Sequence, residues 1–182
     1  YLSEEPTEEL RAYTALYLRE EIQAEALTRN LQGFVQFLDI MALNNGEEVN
    51  FQSLSSDCGV PASTLKNYIQ ILEDTLVGFS LKGYNRTKKR KAISRIKHYF
   101  FDVGVANFLA KRGQIKNKSE LFGKAFEHWI IQEVKAYLSY SRIDLEMSYW
   151  RSLSQFEVDL IVGDQVAIEI KSTSQVQDKH LK

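Results

Sequence analysis

The sequence predicts an α+β chain in which a helical lead and a helix-turn-helix with a β-hairpin precede a unit of order α-β-β-β-α. Three observations carry that prediction. Apolar residues recur at helical spacing from Thr7 to Leu43. Between Val49 and Phe101, two short helical patterns flank Gly59-Val-Pro61, and two strand-like runs follow. From Ser119 a long amphipathic helix gives way to three short runs rich in Val, Ile and aromatic residues.

Taken in order, residues 1–30 form the helical lead, with Thr7 as a cap candidate after Pro6 and Leu10, Tyr13 or Thr14, Tyr17, Ile22 and Leu27 at roughly helical spacing. Leu31 to Leu43 is a second helix whose apolar face holds Phe34, Phe37, Leu38 and Met41, and Asn44-Asn45-Gly46 ends it. Residues 54–57 and 62–75 are the two helices about the Gly59-Val-Pro61 turn, with Leu65, Ile69, Leu72 and Leu76 facing inward and Ser63, Lys66, Asn67 and Gln70 outward. Residues 77–81 and 93–101 read as strands joined by a basic loop, which makes residues 31–101 a winged helix. Asp102 to Lys111 is a connecting helix, and a polar linker runs to residue 118. The amphipathic helix from Ser119 to Tyr140 has Leu121 or Phe122, Phe126, Trp129, Ile130, Val134 and Leu138 as its apolar positions, and strands follow at 143–150, 156–162 and 166–170. Residues 179–182 begin a further helix that the sequence cuts short.

With 23 Lys and Arg against 24 Asp and Glu, the net charge is -1, so any nucleic-acid contact must come from a local patch. The cluster Arg86, Lys88, Lys89, Arg90 and Lys91 is such a patch, placed at the tip of the wing where it could follow phosphates. The single cysteine, Cys58, excludes an internal disulfide and any multi-cysteine zinc site, and its surroundings read as core. No apolar run approaches the roughly 20 residues needed to span a bilayer, so a cytoplasmic protein without membrane contact is expected. The sequence lacks an initiator Met and reads as a piece of a longer protein.

The chemistry concentrates in the last third. Side chains alternate along a strand, so Glu157 and Asp159 share one face while Val158 and Leu160 take the other. Glu169 and Lys171 likewise share a face. Carboxylates on otherwise apolar neighbouring strands are costly to bury without a partner, and a hard divalent cation between Asp159 and Glu169 would offset that cost. The other reading of the same residues is an ordinary strand pair joined by an ion pair. His128 reads as a helix-face residue rather than a ligand, His98 and His180 carry no recognisable partners, and Trp129 and Trp150 read as core.

The pattern Gly123-Lys-Ala-Phe-Glu127, Phe156-Glu-Val-Asp159 and Ala167-Ile-Glu-Ile-Lys171 resembles the PD-(D/E)xK superfamily, which includes restriction endonucleases and archaeal Holliday-junction resolvases. The resemblance implies a nuclease-like domain over residues 119–182. In it Asp159, Glu169 and the carbonyl of Ile170 would hold Mg²⁺ or Mn²⁺, and Glu127 would complete the site. Lys171 would orient or deprotonate the attacking water. Here the Asp is not preceded by Pro, and little of the helix after the third strand is present.

The chain as a whole resembles the C-terminal half of a group of bacterial and archaeal AAA-type P-loop ATPases. Leu10, Tyr13, Tyr17, Leu18, Glu20 and Glu21 carry that likeness, with Ser63-Thr-Leu-Lys-Asn-Tyr-Ile69, Lys97-His-Tyr-Phe-Phe-Asp-Val-Gly104 and the three acidic motifs. The resemblance implies an ATPase domain upstream of residue 1, and ATP would bind only there. No Walker A pattern occurs in this chain, since Gly123-Lys124 lacks the leading glycine and the hydroxyl residue. Two readings follow. One is a DNA-binding module with a metal-dependent deoxyribonuclease site. The other is a non-catalytic module that contacts protein or DNA, or associates with itself, on a vestigial nuclease fold.

Overall fold

Four of the described helices begin where a short polar side chain supplies the acceptor that the first turn lacks. In a computed structural model, which describes residues 6–14, 30–85, 95–152 and 156–173, Asn30 caps α2 (Leu31–Leu43) by accepting from the Gly33 amide at 2.9 Å. Asn50 does the same for α3 (Phe51–Cys58), accepting from Gln52 and Ser53. Gly59, at φ 62°, ends α3 in the left-handed conformation that glycine adopts without strain. Pro61 then leads into α4 (Ala62–Asp74). Ahead of these lies α1 (Pro6–Ala12), so the lead helix is seen over its first turns, and the remainder of its predicted span lies outside the described residues.

Among the described residues, six helices and five strands make a mixed α+β chain. The strands are β1 (Gly78–Gly83), β2 (Ile96–Phe100), β3 (Met147–Arg151), β4 (Glu157–Val162) and β5 (Val166–Ile168). The remaining helices are α5 (Val103–Leu109), capped by Asp102, and α6 (Glu120–Tyr140), capped by Ser119. The chain divides into two compact units, residues 1–80 with 95–113 and residues 81–94 with 114–182. The first half of β1 therefore belongs to one unit and its second half to the other.

The first unit is built on one apolar core. Phe34, Phe37 and Leu38 of α2 meet Leu54 and Cys58 of α3 and Leu65, Tyr68, Ile69 and Leu72 of α4. Phe34, Phe37 and Tyr68 form an aromatic triad with ring centroids 4.9 to 5.7 Å apart. Full burial of a side chain such as Leu65 stabilises the fold by roughly 1.5–3 kcal/mol. Leu76, expected on the inner face of the second turn-flanking helix, is instead 79% exposed with φ 59°. The helix has ended at Asp74, so helical spacing no longer decides which way residue 76 points.

In the second unit β1 pairs in parallel with β3, which pairs antiparallel with β4, and β4 with β5. Tyr149, Leu160 and Val162 are buried, as are Ile131 and Leu138 of α6. The Tyr84 hydroxyl donates to Asp164 at 2.9 Å, fastening the end of β1 to the β4–β5 turn. The third predicted strand is shorter than expected: its ladder ends at Ile168 rather than residue 170, and Val166 and Ala167 are exposed. Among the described residues no helix is long and apolar enough to cross a membrane.

Candidate functional site

Asp159 lies in the middle of β4, and α6 and the segment after β5 supply the other charged groups. Leu160 stands opposite Ile168, so the same register sets Asp159 across from Glu169. Asp159 is only 7% exposed, and its Oδ2 accepts the Ile170 amide at 2.7 Å, a short charge-assisted bond. Lys171 Nζ forms an ion pair with Glu169 Oε1. The Lys171 ammonium is held above its usual range, first by that hydrogen bond to Glu169 against partial desolvation, and further by the charges of Glu169, Asp159 and Glu127. Three carboxylates from three parts of the sequence thus act on one ammonium group, and Glu169 pairs with it directly.

The helix reaches this cluster through a glycine. A Cβ added at Gly123 would stand 3.4 Å from Ser172 Oγ, so the first turns of α6 lie directly against the chain just past Lys171. Glu127 sits four residues on, on the same side of the helix. His128, set aside in the sequence as an ordinary helix-face residue, is 1% exposed and shares the inner face with Ile131. Trp129 and Trp150, expected in the core, are 46% and 38% exposed. Phe122 packs on Phe126 and Phe126 on Trp129, with ring centroids 6.4 and 5.9 Å apart.

Carboxylate oxygens are what a hard divalent cation takes as ligands, so Asp159, Glu169 and Glu127 fit such an ion in donor type, and the first two also in register. Their oxygens are engaged otherwise: Asp159 with the Ile170 amide, Glu169 with Lys171. Among the described residues, no group of three or more His, Cys, Asp or Glu side chains is arranged to hold a metal ion. A cation at this position would require Glu169 to release Lys171.

Of the positions expected to meet DNA, Ser63, Lys66, Asn67 and Gln70 are all exposed on α4. The Lys66 ammonium rests over the Phe51 ring, 5.6 Å from its centroid, and the Gln70 amide donates to Asp74 at 2.8 Å. Arg86, Lys88, Lys89, Arg90 and Lys91 lie outside the described residues.

Fold and cluster together define a mixed α+β chain with a carboxylate–lysine group around the buried Asp159 in its second unit. Residues 1–116 match the family model described as a domain of unknown function, DUF8612, and the chain belongs to that family. Residues 122–182 match a second model, the domain of unknown function DUF4143. No curated protein and no solved structure matches the chain significantly.

Proposed function

We propose that this chain is the DNA-binding, nuclease-like module of an AAA-type ATPase, with Glu127, Asp159, Glu169 and Lys171 as its candidate active site. The observation that carries the reading is the Lys171–Glu169 pair held next to Asp159, which accepts the amide of the intervening Ile170, with α6 and its Glu127 lying against the same segment. The C-terminal match supports the ATPase context, since that domain is often found in AAA ATPase-associated proteins. A helix-turn-helix followed by two strands supports a winged helix, with Ser63, Lys66, Asn67 and Gln70 offered to a groove and the 86–91 run to phosphates.

In this reading Asp159, Glu169 and the Ile170 carbonyl would hold Mg²⁺ or Mn²⁺, with Glu127 beside them. Such an ion would polarise the scissile phosphate and activate a water. Lys171, freed from Glu169, would orient that water and stabilise the charge that develops on the phosphate oxygens. The reading is tested by incubating single-stranded, double-stranded and branched DNA with the chain and Mg²⁺ or Mn²⁺. Metal-dependent cleavage that falls by about 10²-fold or more in Asp159→Ala and Lys171→Ala is the expected result. Absence of cleavage on every substrate overturns it.

One observation favours the second reading, a non-catalytic module that contacts DNA or protein or associates with itself. Two of the carboxylates are already engaged internally, Glu169 by Lys171 and Asp159 by a backbone amide. That reading expects DNA or protein binding without metal and no cleavage.

A further inference from the structure

We infer that Asp159 is a positioning residue, whose carboxylate clamps the Glu169-Ile170-Lys171 segment to β4 beyond the last paired residue of β5. The inference goes beyond the nuclease reading, because it needs neither a metal nor a substrate. It rests on the way the ladder stops. Val162 faces Val166, Ile161 faces Ala167 and Leu160 faces Ile168, and the same register would carry residue 158 to residue 170. The ladder ends at Ile168 instead, and the Ile170 amide donates to the side chain of Asp159 at 2.7 Å.

A side chain can replace a strand partner here because of where Asp159 lies. Its carboxylate is buried, so it needs a strong donor, and an amide of the neighbouring segment is close enough to serve. The clamped amide has Glu169 on one side and Lys171 on the other. Fixing it therefore fixes both ends of the Glu169–Lys171 ion pair and keeps Lys171 within reach of Glu127. Ser172, next along the chain, then meets Gly123 of α6. This hydrogen bond thus holds the segment at a point past the last paired residue of β5.

The test is amide hydrogen exchange at Ile170, followed by NMR in the full 182-residue chain. Asn can still accept the Ile170 amide and Ala cannot. Asp159→Asn should keep most of the protection, whereas Asp159→Ala should exchange about 10-fold faster or more, as expected for losing a hydrogen bond of this type. Equal exchange in wild type and Asp159→Ala overturns the inference, as does an Asn variant no better than Ala. If Asp159→Ala does not fold, the unaltered chain decides. Its Ile170 amide should exchange at least about 10-fold slower than an unstructured amide, and unprotected exchange overturns the clamp. Mn²⁺ binding by the same variants separates this from the nuclease reading. Rescue of protection by Asn with no Mn²⁺ bound even by wild type would leave the clamp standing and the metal site refuted.

Discussion

Replacing Lys171 with Met would keep the length and apolar stem of the side chain while leaving Glu127, Asp159 and Glu169 without the ammonium they share. The cost can be bounded from the geometry. Both partners of the Lys171–Glu169 pair are partly exposed, so solvent screens it, and such a pair contributes about 0.2–1 kcal/mol. The added repulsion among three carboxylates sets the total at about 1 kcal/mol, toward the upper end of that range. For a chain of this size that corresponds to a fall of about 2–4 °C in Tm. The assay is selective, because the only two tryptophans, Trp129 and Trp150, both lie in the second unit. Their fluorescence therefore follows the unfolding of the unit that holds the cluster. Raising the salt should shrink the difference between variant and wild type, since the screening length falls from about 8 Å at physiological ionic strength to about 3 Å at 1 M. The pH dependence has a fixed sign. The folded-state pKa of Lys171 is raised above its ordinary 10.5, so its contribution is complete below that value and is lost only as pH rises through the folded-state value. The gap between wild type and Lys171→Met should stay level from about pH 7 to pH 9 and close in strong alkali. A variant as stable as wild type at low salt, with no salt dependence, would refute this account of the cluster.

Other perturbations test the fold around the site. Leu76→Gly should stabilise the first unit by about 0.5–1 kcal/mol, because an exposed leucine at φ 59° is held in a conformation that costs roughly 1–2 kcal/mol in any residue but glycine. A lower denaturant midpoint by circular dichroism would contradict that. Gly78→Ala should destabilise by about 1–3 kcal/mol, since the new methyl would stand 2.4 Å from Nε2 of the buried His98 and 2.9 Å from the Tyr99 carbonyl oxygen. An unchanged melting curve would show that β1 and β2 can part there. The Cys58 thiol is buried, and burial, aided by the charge of Asp57, pushes its pKa above the ordinary 9.0. It should resist a thiol reagent at neutral pH in the folded chain and react fully in urea. Rapid labelling of the folded chain would refute the packing around α3.

Much of the first unit was legible because its signals agree with one another. Apolar spacing placed α2 over residues 31–43, and Asn44 ends it as expected. The Gly59-Val-Pro61 turn could be located because Gly59 takes a left-handed conformation and Pro61 opens the next helix. Leu76 was misplaced because apolar spacing carries no signal for a chain that leaves the helix two residues earlier. In α6 the sequence offered apolar residues on more than one side, so periodicity did not choose a face. The buried set turned out to be His128, Ile131 and Leu138, and the aromatics outside it pair among themselves. In the candidate site, the alternation rule was enough to set Asp159 beside Glu169 and Lys171 on the side of Glu169. It could not show that β5 stops at Ile168, because a side chain rather than the main chain takes up the amide of Ile170. Nor could it show that Glu169 and Lys171 neutralise each other, since an ion pair between neighbours on one face is decided by side-chain conformation.

Titrating Mn²⁺ into the chain and following the loss of free-ion signal by electron paramagnetic resonance tests the central proposal most directly. The account predicts one bound ion per chain, displaced by Mg²⁺, lost in Asp159→Asn and Glu169→Gln, and retained in Lys171→Met, where Glu169 no longer has a competing cation. A wild-type chain that leaves the free Mn²⁺ signal unchanged, or binding that survives both carboxylate substitutions, would contradict it.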